Sequence, residues 1–342
     1  MTRVGIIGAG AWGRNHVRTF ASLEEAELVA LADSRPDVLA AHRRSLPGVE
    51  GYADGRELLA QADVEAVVIA TPAPTHHALA RAALESGRHV LVEKPLALAT
   101  ADAEDLARLA DEKGLVLMVG HLLLYHAAVE YLKGLIEEGE LGDLLYGYCQ
   151  RLNLGVVRPD ENALWSLAPH DFSVLAWLLG EQVADVSARG ADYLQPGVED
   201  VVFADLRWRN GRIAHVHVSW LDPHKIRRIT LVGSRKMVVF DDMAAQEKVR
   251  VYDKGAERVP DAVGWGEHLA VRSGDILIPR IPPVEPLRNE ARHFLACVRE
   301  GKRPRSDGWN GVAVVRMLEA AQASLAAGGR PVPLDGAGEE QP

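Results

Sequence analysis

Residues 3–21 read RVGIIGAGAWGRNHVRTFA, and this stretch decides the first half of the fold. Val4 to Ile7 is a short apolar run of the buried-strand type, and the residues after Gly13 follow a helical pattern. Between them Gly8, Gly10 and Gly13 form G-x-G-x-x-G. Gly8 permits a tight turn, Gly10 lets a pyrophosphate approach the backbone, and Gly13 lets helix and strand pack closely. The helix that follows presents unsatisfied N–H groups and a positive dipole end to an anion. Alone the motif is weak. Its place between a predicted strand and a predicted helix makes it a dinucleotide-binding signature, with Ala11 and Trp12 inside the loop.

The next apolar run, AELVALADSRP, ends at Asp33, about 20 residues past the last glycine. That is the spacing of an acid that binds a ribose 2′-hydroxyl. Asp33 favours NAD, since a 2′-phosphate would meet its negative charge. Ser34 and Arg35 follow directly, and Arg35 softens the preference, so NADP is the less favoured cofactor. Residues 64–87, 88–114 and 115–121 continue the strand–helix alternation, which predicts a parallel, doubly wound sheet. Ligands of such sheets sit beyond the strand C-termini. Thr71, Pro72, His76, Glu93, Lys94 and Pro95 all fall at such ends and are expected to line one crevice. His76 and His77 are neighbours on a predicted helix and do not share a face, so no metal site is expected there; one histidine is expected near the cofactor.

After about residue 122 the period changes. Residues 123–143 read as a helix ended by glycine. Six runs follow with period two: LLYGYCQRL, VADVSARGA, VVFADLRWR, RIAHVHVSW, RRITLVGS and KMVVFDD. Short turns separate several of them, which predicts a mostly antiparallel sheet. Pro279, Pro282, Pro283 and Pro286 mark an irregular connection before two final helices. The fold class is therefore an α/β N-terminal domain with a doubly wound parallel sheet over 1–122, and an α+β domain with a mostly antiparallel open sheet over 123–333. Residues 334–342 read as a disordered tail. His215 and His217 share one strand face, which is read as solvated or as an interface rather than metal-binding, because no acidic or cysteine partner follows from spacing. DPHKIRR, residues 222–228, is either a solvated strand end or an anion contact.

A net charge of −10 argues against nucleic acid, whose backbone needs a concentrated basic surface. Cys149 and Cys297 lie far apart without C-x-x-C spacing, which speaks against a disulfide framework or a structural zinc site. No signal peptide is read at the N-terminus, and no apolar run reaches the ~18 residues of a membrane span. A cytoplasmic protein without membrane or metal partners is expected.

LWSLAPHDFSVLAWLLG, residues 164–180, raises a separate question. Its apolar positions recur at helical spacing, yet Pro169, His170 and Asp171 read as the helix start. Either the pair caps the helix, where negative charge is favourable, or it moves a proton. A histidine has an ordinary pKa of about 6.5, and a helix N-terminus would help keep it neutral.

The glycine motif, Asp33, the EKP at 93–95 and an antiparallel second half with a His-Asp pair together resemble the glucose–fructose oxidoreductase/inositol dehydrogenase (Gfo/Idh/MocA) family over nearly the whole chain. The resemblance implies a Rossmann domain, NAD(P)-dependent oxidation or reduction of a sugar or cyclitol carbon, Lys94 beside the nicotinamide, a cis bond to Pro95, and a homodimer or homotetramer. It also implies His170 as the proton-transfer residue, with Asp171 structural or orienting. The family pattern D-x-x-x-H has Ser166 at the aspartate position here. The strings NALWSLAPHD, YLQPGVEDVVF, HVSWLDPHKIRR and VEPLRNEARHF are similar to a narrower subgroup, the UDP-N-acetylglucosamine 3-dehydrogenases, which oxidise the sugar C3 hydroxyl to a keto group for later amination. Catalysis is thus expected from Lys94 and His170. Substrate contacts are expected from Lys94, Tyr125, Arg151, Asn153, Arg158, Asn162, Trp165 and His170. The alternatives are a dehydrogenase of a free cyclitol or aldose, and a non-catalytic NAD-binding regulator.

Overall fold

A computed structural model of the chain describes residues 1–155, 157–159, 161–180, 182–260 and 267–334. Two compact units emerge: Met1–Tyr125 with Val284–Arg316, and His126–Pro283 with the residues from Met317 onward. The linear division at residue 122 falls just before the break at Tyr125, and residues 284–316 return to the first unit. The tail read at 334–342 lies, from residue 335, outside the described residues.

The first unit alternates β1 (Thr2–Ile7), α1 (Gly13–Ala21), β2 (Ala26–Ala32), α2 (Pro36–Ser45), β3 (Glu50–Tyr52), α3 (Gly55–Gln61), β4 (Ala66–Ile69), α4 (His76–Glu85), β5 (His89–Glu93), α5 (Thr100–Lys113) and β6 (Leu117–Gly120). The strands form a parallel sheet in the order β3-β2-β1-β4-β5-β6. Val67, Val68, Ile69, Val90 and Val92 are wholly buried, as continuous apolar runs are when both faces of a sheet are covered. The order reverses between β1 and β4, and loops after those strands open at the switch point where such sheets bind ligands.

The second unit holds α6 (Ala127–Glu137), β7 (Leu144–Leu152), α7 (Ala163–Leu179), β8 (Val183–Ala191), β9 (Val201–Trp208), β10 (Ile213–Ser219), β11 (Ile226–Gly233), β12 (Met237–Asp241), β13 (Val249–Pro260), β14 (Glu267–Leu277) and β15 (Val332–Pro333). Its nine-stranded sheet runs β14-β13-β12-β11-β7-β10-β9-β8-β15. Within this sheet only β7 and β10 pair in parallel among the described strands. Period two is visible in the burial: Ala214, Val216 and Val218 are covered, with α7 packed on this sheet, while Ile213, Tyr146 and Phe203 on the other face are exposed.

The last segment of the first unit carries α8 (Pro286–Glu300) and the start of α9 (Gly308–Ala326). α8 buries Leu287, Ala291, Phe294 and Leu295 at helical spacing. Between the helices, Ser306 covers the edge of β6: Val119 N–H donates to the Ser306 carbonyl, and Ser306 Oγ donates to the Val119 carbonyl, both at 2.7 Å. Among the described residues no helix is long and apolar enough to cross a membrane.

Candidate functional site

The glycine loop has the shape that a diphosphate requires. Gly8 adopts φ +91°, and a Cβ there would lie 2.7 Å from the Ala70 backbone. A Cβ on Gly13 would come within 1.8 Å of the Gly8 carbonyl oxygen. No side chain caps α1, and of its first N–H groups those of Arg14 and Asn15 donate to the Gly10 and Trp12 carbonyls at 3.0 and 2.8 Å. These are the features of a nucleotide cradle, and the residues present fit it.

Asp33 follows β2 and is nearly buried. Its carboxylate accepts from Ala9 N–H at 3.1 Å, from Arg35 N–H at 3.0 Å, and from the Arg35 guanidinium at 3.0 and 3.1 Å. Burial disfavours the charge, but Arg35 and the backbone donors outweigh it and hold Asp33 below the usual carboxylate range. The Arg35 guanidinium also lies against Gly10. Ser34 is exposed beside them.

Thr71 and Pro72 follow β4, and Lys94 follows β5. His76, at the first position of α4, ties the two ends together: Nε2 meets the Thr71 carbonyl at 2.9 Å, and Nδ1 meets the Pro95 carbonyl at 2.7 Å. A neutral ring has one N–H and satisfies one carbonyl. Burial pushes the His76 pKa down, and the two carbonyls oppose it. His76 is thus a brace between strand ends. His77 points elsewhere, to Asp105 at 2.8 Å.

Glu93 turns inward to α1. Its Oε1 accepts from Trp12 Nε1 and meets His16 Nε2 at 2.7 Å, while Oε2 accepts from Lys94 N–H at 3.3 Å. Burial works against the charge, yet His16, Trp12 and Lys94 lower the Glu93 pKa. The carboxylate therefore joins the glycine loop to the base of Lys94, whose bond to Pro95 is cis. His16 escaped the sequence reading because it sits mid-helix with no motif around it.

In the second unit α7 corrects the reading of residues 169–171. Asn162 is the N-cap, its Oδ1 accepting from Trp165 N–H at 3.1 Å, so the helix starts at Ala163. Pro169 lies inside it and leaves the Trp165 carbonyl without its helical donor. His170 is therefore mid-helix, and the dipole argument for keeping it neutral does not apply. Ser166 is one turn before it, on the same side of α7. Asp171 is fully buried and takes both oxygens to Arg151 on β7, from Nε at 2.8 Å and from the terminal nitrogen at 2.9 Å. Desolvation opposes the Arg151 charge, but Asp171 prevails and raises its pKa.

Several expected substrate contacts are committed elsewhere. Tyr125 is a core residue of the first unit, only 2% exposed. Its hydroxyl meets Ser306 Oγ at 2.8 Å, and its ring stacks under Arg305. Arg151 is held by Asp171. Asn162 caps α7 and also donates to Glu199 and Gln322 at 2.6 and 2.9 Å. Arg158 is exposed and paired with Glu161 at 3.0 Å. Asn153, just past β7, and Trp165 are half-buried, as is His170. His215 pairs with Asp205 at 2.8 Å, and His217 stacks on Phe203 with ring centroids 4.2 Å apart. In the basic segment, Arg228 pairs with Asp241 at 2.7 Å and Arg227 with Asp242 at 3.7 Å, which leaves less charge for an anion than the sequence suggests.

Chemically, the first unit offers a glycine loop shaped for a nucleotide, a nearly buried carboxylate after β2 and a lysine at one sheet end. The second offers a half-buried histidine on a rigid helix. Comparison with known proteins gives the family. Residues 2–121 match the model of an oxidoreductase family with an NAD-binding Rossmann fold, and residues 129–239 match the GFO/IDH/MocA C-terminal domain. The chain is 30% identical over 268 residues to UDP-N-acetylglucosamine 3-dehydrogenase of Acidithiobacillus ferrooxidans, covering 77% of this chain and 80% of that protein. It is 30% identical over 330 residues to inositol 2-dehydrogenase of Burkholderia multivorans, covering 93% and 92%. The crystal structure of the WlbA dehydrogenase from Bordetella pertussis in complex with NADH and UDP-GlcNAcA is similar with a TM-score of 0.78, at 25% identity and covering 97% of this chain and 98% of that one. The chain belongs to the GFO/IDH/MocA family, an oxidoreductase family with an NAD-binding Rossmann fold.

Proposed function

We propose that the protein oxidises a secondary alcohol of a nucleotide sugar, at C3 of a UDP-N-acetylhexosamine, to give a 3-keto sugar. Bound NAD supplies the hydride acceptor. Gly8, Gly10, Ala11, Trp12 and Gly13 hold its diphosphate, Asp33 with Ser34 and Arg35 its adenosine ribose, and Thr71, Pro72, His76, Glu93 and Lys94 frame its reacting end. The carbon loses a hydride and its hydroxyl loses a proton. His170 accepts that proton, and the Lys94 ammonium stabilises the developing alkoxide. Asn153 and Trp165 are the substrate contacts kept in this reading. Asp171 orients the helix by fixing it to Arg151.

The observation that carries the reading is the anchoring of Lys94. Its backbone N–H is bonded to Glu93, and Glu93 is bonded in turn to Trp12 and His16. A lysine whose backbone is tied at the end of β5 brings its side chain to one sheet end, which suits a reaction that needs a cation there. The UDP-sugar assignment is supported by the relative from A. ferrooxidans. A second reading, oxidation of a free cyclitol, is favoured by the inositol dehydrogenase relative, which matches over more of the chain. The exposed sheet face carrying Tyr146, Phe203 and Ile213 is the subunit-packing face of a homodimer or homotetramer in either case.

Turnover with NAD, a panel of UDP-sugars and free cyclitols separates the readings, with keto product followed by mass spectrometry. A keto product from UDP-N-acetylglucosamine alone supports the first. Oxidation of a free polyol overturns the nucleotide-sugar assignment. No product from any sugar overturns both.

A further inference from the structure

His121 has no part in the chemistry above, yet it stands at the reacting end of the first unit. It directly follows β6, which pairs with β5 in the register Glu93↔Gly120. The chain turns at Gly120, where His121 N–H donates to the Val119 carbonyl at 2.7 Å. Gly120 packs on the Glu93 carboxylate so closely that a Cβ there would lie 3.1 Å from Oε2. His121 therefore emerges beside the Glu93–Lys94 end of the neighbouring strand, and it senses the charges of both residues.

The orientation of the ring is set from behind. Nδ1 lies 2.7 Å from Asn310 Oδ1, an oxygen that only accepts, so Nδ1 carries the proton. Asn310 is itself fixed in the first turn of α9, where its N–H donates to Asp307 at 2.7 Å. Nε2 is then the acceptor. It is buried, with no hydrogen-bond partner among the described residues, and the side chain is only 1% exposed. A buried polar atom without a partner calls for an explanation.

We propose that His121 is a positioning residue for Lys94, its Nε2 accepting an N–H of the Lys94 ammonium group when that side chain takes its reacting position. Neutral imidazole suits the task, because it accepts without competing for the substrate proton. Burial keeps the ring neutral, pushing its pKa down to about 4. Asn310 is the support that selects the accepting tautomer. The proposal rests on the reading of Lys94 as the reacting cation, so its test includes a measurement that needs no substrate.

The full chain is acylated at fixed pH with an amine-reactive acetylating reagent, and Lys94 labelling is measured by peptide mass spectrometry against the exposed Lys302. Removing an acceptor from the charged amine raises its neutral fraction, so His121→Phe is expected to label Lys94 about threefold faster or more. His121→Gln keeps an acceptor and is expected to label as the wild type does. With a substrate that the wild type turns over, His121→Phe is expected to lose about tenfold in kcat with the KM for NAD unchanged, and His121→Gln to recover most of it. Unchanged Lys94 labelling in a folded His121→Phe overturns the proposal, whatever the turnover. If the phenylalanine variant fails to fold, Asn310→Ala takes its place. It frees the tautomer and is expected to accelerate Lys94 labelling; no change there overturns the proposal too. A wild type inactive on every sugar overturns the functional reading but leaves the labelling comparison intact.

Discussion

Arg151 and Asp171 form a closed, two-bond pair between β7 and the middle of α7, with both side chains almost wholly out of solvent. The helix that carries His170 is thereby pinned to the sheet by the very next residue. Removing one partner strands a buried charge, which costs about 3–5 kcal/mol. Asp171→Ala is therefore expected to lower stability by that amount in urea unfolding. Arg151→Met combined with Asp171→Leu is expected to cost much less. Equal losses in the single and double variants would contradict the account.

His170→Ala is expected to lower kcat by roughly 10²–10⁴, the usual contribution of a general base. Binding of NADH, followed by its fluorescence, is expected to stay within a factor of about two, because His170 belongs to the proton step alone. Near-wild-type turnover would remove His170 from the mechanism.

Cofactor choice is expected to depend on Asp33. Asp33→Ser removes the charge that a 2′-phosphate would meet and leaves Arg35 without its partner. A lost hydrogen bond to a charged group is worth about 1.5–3 kcal/mol, so NAD affinity is expected to fall by about 10–100-fold. NADP affinity is expected to rise as Arg35 becomes available to the phosphate. Calorimetric titration with both cofactors checks this; unchanged discrimination would rule out the ribose contact.

Acid stability carries a signature of His121. Its folded-state pKa, about 4, lies below the ordinary unfolded value of about 6.5. Between those values the unfolded chain binds the extra proton, so stability is full above about pH 6.5, falls as the pH drops, and loses nothing more from this residue below about pH 4. The loss is roughly 3 kcal/mol from the size of the shift. His121→Gln does not titrate, so the wild type minus variant difference is expected to decline across that window. A flat difference curve would show that His121 is not held neutral by the fold.

What the sequence made legible was local. Gly8, Gly10, Gly13 and Asp33 are read from spacing because a strand, a turn and a helix follow one another within 33 residues. Alternation revealed β7 to β12 because one face of that sheet is covered and the other is not. The readings that the structure qualifies share a cause. Tyr125 reads as a binding residue until its partner Ser306, 181 residues away, is known. Arg151 reads the same way without Asp171. At α7 two start signals compete: Pro169 suits a first turn, but Asn162 caps the helix seven residues earlier. β13 and β14 were not read as strands, because their runs VRVYDKGAERVP and EHLAVRSGDIL scatter charges and glycines through a weak alternation. His121 and His16 carry no motif, and their importance comes only from what surrounds them.

The return of residues 284–316 to the first unit bears on how the chain is made. During synthesis the parallel sheet is spelled out by residue 120, yet the edge of β6 awaits Ser306, 187 residues beyond its partner Val119. The ribosome therefore delivers a nucleotide-binding unit that is nearly complete but open along one side while the whole of the second unit is still being translated. The first unit takes its last residues from the start of α9, and the second unit takes the rest of that helix and β15. A nascent chain stalled near residue 280 would leave that edge of β6 uncovered, because the segment that covers it has not yet been made.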